Sequence, residues 1–197
     1  MTVITIFIKI YLIKTEGNSD KNETELEKVY KDNEKIEADS YFCFNNLMDE
    51  IKDLFIREKD LTRSGIQTRI KGINLLLREI DKEIYNHFID ESVEIQFFMF
   101  RWYTLLFTQK YEMPDVLRLW DSILSFIKLN SNRYTDKFMF LNYLSLAAIL
   151  KKKVDILNSD FSGIMMCFQS MDFTDVHDHI RNADIIKQYY REKYNIN

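Results

Sequence analysis

Residues Gln96 to Asp121 read QFFMFRWYTLLFTQKYEMPDVLRLWD, and their pattern decides the fold class. Ile95, Phe98, Met99, Trp102, Leu105 and Leu106 recur at three- and four-residue steps, which places them on one face of a helix from about Glu94 to Lys110. Pro114 follows in the first turn of a second helix, where its missing N–H costs nothing, with Asp115 beside it to meet the positive end of the dipole. That helix carries Val116, Leu117, Trp120, Ile123, Leu124 and Ile127 inward. Arg101 interrupts the first apolar face. An unpaired buried charge is costly, so this arginine requires a carboxylate, and Asp115 and Asp121 are the candidates across the hairpin. The reading is a buried polar clamp joining two helices, with a contact to a partner protein as the alternative.

The same periodicity extends in both directions. Upstream, Tyr41, Phe44, Leu47, Met48, Ile51, Leu54 and Phe55 mark one face of a helix with Asp39 as its N-cap, and Ile66, Ile70, Ile73, Leu76, Leu77 and Ile80 mark another within Ser64–Ile80. A short helix passes through Tyr85 and Phe88. Downstream, Phe138–Leu150 is apolar nearly all round, the pattern of a helix buried on most sides, and Lys151, Lys152 and Lys153 close it as cations at a helix C-terminus. Two final helices, Asp160–Phe168 and Asp175 to about Tyr190, each open on an aspartate. With 4 glycines and 1 proline in 197 residues, there are too few turn-makers for a sandwich or barrel, and the expected class is all-α.

Composition excludes several functions. Lys+Arg of 27 against Asp+Glu of 31 leaves a net charge of -4, which argues against a nucleic-acid binder. Cys43 and Cys167 lie far apart in apolar stretches, as reduced thiols do, and no cofactor is expected. Val3–Ile13 is apolar but lacks a basic start and a cleavage site. It is also too short for a bilayer, which takes roughly 20 residues, so no transmembrane segment is expected. Residues 15–37 are dense in charge and read as a flexible insertion. His177 and His179 flanked by Asp175 and Asp178 could in principle ligate a metal, but neighbours two apart diverge on a helix. His87, His177, Asp178 and Asp184 follow the order of a metal-dependent phosphohydrolase set with gaps that do not suit that fold. The expectation is no metal.

Arg101-Trp102, the Gln109–Tyr111 turn and Pro114-Asp115-Val116-Leu117-Arg118-Leu119-Trp120-Asp121 together resemble the signature of TBC domains, the Rab GTPase-activating family. The similarity extends to Glu37–Phe44 with Leu47-Met48, to Gly65-Ile66, Leu76-Leu77 and Asp81, and to Tyr85 and His87, covering about Glu37 to Tyr190. The resemblance implies an irregular helical domain like the later half of a TBC domain at residues 38–192, with residues 1–14 an apolar helix left from its core. It implies a Rab-type small GTPase as partner and a cytoplasmic protein, peripheral on endomembranes through that GTPase. Arg101, Trp102, Pro114, Asp115, Arg118, Trp120 and Asp121 are its signature positions, structural or partner-facing.

The family supplies an arginine finger from an I-x-x-D-x-x-R motif and a glutamine finger from a Y-x-Q motif, both before the aromatic helix. Arginine would neutralise charge developing on the transferred phosphoryl group while glutamine positions water. Residues 1–37 contain neither arginine nor glutamine, so no finger is carried over. The expectation is a GTPase-activator relative rather than an enzyme, beginning just after the catalytic segment. The alternative is a non-catalytic interaction module in trafficking. An apolar face left uncovered by the missing half would favour self-association.

Overall fold

The structure is a computed structural model that describes residues 33–62, 65–129, 139–171 and 175–195. The expectations for residues 1–14 and 15–32 lie outside the described residues. The chain divides into two units, Met1–Lys52 and Asp53–Asn197.

In the first unit the described part is helix α1 (Asn33–Ile51). It runs through Asp39, which is therefore not its N-cap. Ile51 is buried and Leu47 and Met48 are half-buried, while Tyr41 and Phe44 are exposed. Periodicity states which residues share a face, not whether anything covers it.

The second unit begins with tight turns through Arg57–Lys59 and continues in α2 (Ile66–Ile80), α3 (Lys82–Asp90), α4 (Gln96–Thr104), α5 (Met113–Leu129), α6 (Met139–Lys151), α7 (Lys153–Leu157), α8 (Phe161–Gln169) and α9 (Val176–Lys193). No strand occurs among the described residues. Gly65 starts α2 against the preceding turn so closely that a Cβ would lie 1.9 Å from the Lys59 carbonyl oxygen, so only glycine fits. The α2 stripe is buried as expected from Ile66 to Leu77.

α6 is the central post. Every residue from Phe140 to Ile149 is buried, and α9 lies along it while α2, α4 and α5 pack around it. Its buried polar groups are satisfied: Ser145 Oγ donates to the Leu141 carbonyl at 2.7 Å, and the Tyr103 hydroxyl donates to Asn142 Oδ1. The lysines at its end find carboxylates. Lys153 lies 2.7 Å from Asp81 and 2.9 Å from Glu83, and Lys152 lies 3.0 Å from Asp155. Aspartate caps open three helices. Asp81 accepts from Glu83 and Ile84 N–H, Asp160 from Gly163 N–H at 2.8 Å, and Asp175 from Asp178 N–H at 2.9 Å.

Two expectations around the signature are corrected. The aromatic helix stops at Thr104 instead of reaching Lys110, because Leu106 and Phe107 adopt left-handed conformations with φ of 45° and 61°. On α5 the deepest residues are Val116, Leu119 and Ile123, with Leu117, Trp120 and Leu124 only half-buried. The helix is rotated by about one position from the expected stripe. That rotation frees the Trp120 indole to reach sideways, and its Nε1–H donates to the Leu106 carbonyl at 3.2 Å.

A bulky residue at positive φ costs roughly 1–3 kcal/mol, so the turn persists only where surrounding contacts over-determine it. Leu106 and Phe107 are 4% and 1% exposed, and Phe107 N–H donates to the Trp102 carbonyl at 3.1 Å. Replacing Trp120 with phenylalanine keeps most of the ring contact and removes the N–H, leaving a buried carbonyl short of a donor. Urea unfolding of Trp120→Phe should show a loss of about 1 to 3 kcal/mol; a change within about 0.5 kcal/mol would show that the indole bond does not hold the turn.

Candidate functional site

The connection from Leu105 to Glu112, with the flanking ends of α4 and α5, gathers the signature residues. Trp102 is buried, its ring centroid 5.2 Å from Phe98, 5.3 Å from Phe107 and 5.8 Å from Phe168. Phe98 stacks on Phe168 at 4.0 Å, which ties α4 to α8. Trp102 and Trp120 thus hold the left-handed turn from its two ends, one through its backbone carbonyl and the other through its indole.

Arg101 points the other way. It is exposed and makes no ion pair with Asp115 or Asp121 among the described residues, so the buried clamp is corrected. The reason is helical geometry: Arg101 sits one position from Trp102, about 100° around the helix, and belongs to the outer face with Phe97, Phe100 and Thr104. Pro114 and Arg118 are exposed as well, Arg118 Nη1 donating to Ser122 Oγ at 2.8 Å one turn on. Asp115 and Asp121 are half-buried, and Asp121 Oδ1 is buried without a donor among the described residues. The signature therefore separates into an inner pair of tryptophans and an outer set of Arg101, Pro114 and Arg118.

Three side chains that the sequence reading passed over anchor the connection. Lys110 Nζ donates to the carbonyls of Phe168, Gln169 and Met171 at 3.1, 3.1 and 3.2 Å, placing a cation on the C-terminal end of α8, where the helix carbonyls and the dipole both favour it. Tyr111 bonds through its hydroxyl to His179 Nδ1. The other ring nitrogen, Nε2, lies 2.7 Å from the Leu144 carbonyl of α6. A carbonyl only accepts, so Nε2 carries the proton and Nδ1 accepts from Tyr111. Burial, with the charges of Asp115, Asp175 and Asp178 added, pushes the Tyr111 hydroxyl well above its ordinary range, which keeps it a donor. One sequence signal pointed to His179: it lies on the same face as Val176, Ile180 and Ala183, a polar residue on an apolar stripe.

No group of three or more His, Cys, Asp or Glu among the described residues could hold a metal. His179 spends both ring nitrogens inside the fold, His87 bonds the Ser159 carbonyl at 2.9 Å, and His177 is exposed. The chemistry offered here is a shaped, charged surface over a buried aromatic junction.

A family model described as the Rab-GTPase-TBC domain matches residues 13–157. TBC1 domain family member 13 of Mus musculus is 37% identical over 150 residues, which cover 76% of this chain and 36% of the relative. The GTPase-activating protein GYP1 of Saccharomyces cerevisiae is 32% identical over 128 residues, 62% of this chain and 20% of that protein. The solved Ypt/Rab-GAP domain of Gyp1p superposes with a TM-score of 0.66 at 25% identity, covering 81% of this chain and 46% of that one. The all-α class and the resemblance to a TBC domain are thereby established, and the chain spans about a third of the length of the mouse relative. One expectation is overturned. The sequence reading set the chain apart from enzymes, whereas the yeast relative is named a GTPase-activating protein, and activating a GTPase is a catalytic role.

His179 makes the fold acid-sensitive within a defined window. Burial, with a further push from Lys151, lowers its pKa from 6.5 to about 4, against a bond to the Leu144 carbonyl and the charge of Asp178 that raise it. The unfolded chain binds the proton first, so stability is full above pH 6.5 and falls as pH drops toward 4. Urea titrations at pH 7 and pH 4.5 should show that the wild type loses about 2 to 3 kcal/mol more than His179→Gln over this interval. Equal losses in the two proteins would show that His179 is not the titrating group.

Proposed function

Because this chain belongs to the Rab-GTPase-TBC domain family, we propose that it serves GTPase activation on a Rab-type small GTPase, supplying the helical platform of the later half of the domain. The observation that carries this reading is the family match over residues 13–157 together with a Rab-GAP domain as structural neighbour. In it, Trp102, Trp120, Lys110 and Tyr111 fix the junction, and the exposed Arg101, Pro114 and Arg118 face the partner. Charge neutralisation and water positioning require an arginine and a glutamine finger. Neither can be placed on any residue of this sequence through the family motifs.

The partner's location sets that of the chain: cytoplasmic, and on endomembranes only through the GTPase it meets. No helix among the described residues is long and apolar enough to cross a membrane. Self-association is a second reading favoured by one feature. Phe97, Phe100, Phe161 and Met166 are 51%, 53%, 41% and 62% exposed, and the Phe97 and Phe161 rings meet edge to face at 6.2 Å, so apolar surface on α4 and α8 is contiguous and open.

The test is single-turnover GTP hydrolysis across a Rab panel, using this chain joined to a TBC segment that carries both finger motifs. At least one Rab should be accelerated by about 10³ or more, the scale of an arginine finger, and Arg101→Ala with Arg118→Ala should weaken GTPase binding without unfolding the protein. A joined protein that folds yet neither binds nor accelerates any Rab would contradict the reading.

A further inference from the structure

A cavity of about 810 Å³ opens between α2, the start of α6 and the end of α9, away from the signature junction. Its size falls within the roughly 300–1,000 Å³ typical of small-molecule sites. Leu76, Met139 and Tyr190 give it apolar wall.

Its charge is one-sided. Arg69, Arg78, Lys82 and Lys193 line it against a single carboxylate among the described lining residues, Glu79. That carboxylate is already committed: Lys193 Nζ donates to its Oε2 at 3.2 Å, and the Tyr194 hydroxyl donates to the same oxygen. Both bonds hold the Glu79 carboxyl below its usual range, so it stays an anion spent on its own neighbours. Arg78 and Lys82 are exposed and form no ion pair among the described residues, Arg78 resting its guanidinium 6.0 Å from the centre of the Tyr85 ring.

The chain as a whole carries -4, so this excess opposes its overall sign. Elsewhere on the second unit exposed lysines lie beside carboxylates, as at Lys152 with Asp155 and Lys153 with Asp81. A concave wall of low dielectric focuses the field of its cations. Guanidinium presents a planar fork that matches a phosphate, and ammonium serves as a point charge beside it.

We propose that this cavity binds a phosphate-bearing small molecule, its phosphate groups held by Arg78 and Lys82 at the rim and its remaining body against the apolar wall. A soluble phosphate ester and the phosphorylated headgroup of a membrane lipid share this chemistry. The proposal stands apart from the GTPase reading, since no cavity residue belongs to the signature.

The experiment is titration calorimetry of the 197-residue chain with pyrophosphate, beside flotation with phosphatidylcholine vesicles containing phosphatidylinositol bisphosphate or an equal charge of phosphatidylserine. Saturable binding is expected in at least one arm. The double variant Arg78→Gln, Lys82→Gln should weaken it about tenfold or more, whereas Arg57→Gln, Lys71→Gln, which removes the same charge elsewhere, should not. All four side chains are exposed, so the helical circular-dichroism spectrum should be unchanged in both variants. Binding of pyrophosphate lost in the cavity variant supports a soluble ligand; binding confined to bisphosphate vesicles and lost in that variant supports a lipid headgroup. No saturable binding in either arm, equal flotation with phosphatidylserine, or equal weakening by the control pair overturns the proposal.

Discussion

Two residues with full side chains, Leu106 and Phe107, held at positive φ, set the path of the chain between the two signature helices. Left to propensity, the aromatic stripe would continue as helix to Lys110, and α5 would start elsewhere with a different face inward. The turn instead reverses the chain within a few residues and costs energy that local bonding does not return. What holds it is tertiary: the Trp120 indole on the Leu106 carbonyl, the Trp102 carbonyl on the Phe107 amide, and Phe107 packed between Trp102 and the His179 ring, 5.7 Å away. The two residues that follow spread the constraint outward. Lys110 binds the end of α8, and Tyr111 binds His179, which binds α6. Four helices therefore take their positions from one short connection.

This arrangement explains why the two tryptophans and the arginines of the signature have different duties. Trp102 and Trp120 lie one on each side of the turn and are tied to it by hydrogen bonds, so their chemistry is spent inside the protein. Arg101 and Arg118 lie one and two positions away in sequence and on the solvent side. A rigid interior and a charged exterior only a few ångströms apart suit a surface that must be presented to a partner without moving.

Most of the helices were legible in the sequence because their stripes are wide and uninterrupted. Ile66 to Leu77 and Phe140 to Ile149 are buried as their spacing required, and Asp81, Asp160 and Asp175 cap the helices that follow them. The turn at Leu106–Phe107 was not legible, since leucine and phenylalanine carry no left-handed preference and no glycine or asparagine marks the reversal. Missing that turn carried Leu105 to Lys110 into the wrong element and rotated α5, which is why Leu119 was not foreseen at the core. The Arg101 clamp failed for another reason. A charge rule states that a buried arginine needs a partner, but a residue beside Trp102 on a two-sided helix can simply face water. Lys110 was hidden because helix capping by a distant lysine leaves no local pattern; Phe168, whose carbonyl it binds, lies far along the chain.

The claim that the connection acts as one unit is tested most directly by a double-mutant cycle between Lys110 and Tyr111, which bind different helices. Lys110→Met and Tyr111→Phe are made singly and together, and their unfolding free energies are compared in urea. If the turn transmits the constraint from α8 to α6 and α9, the two losses should couple by more than about 0.5 kcal/mol, the second change costing less once the first has released the connection. Losses that add within about 0.3 kcal/mol would mean that the two anchors act independently and that the turn does not organise the helices around it.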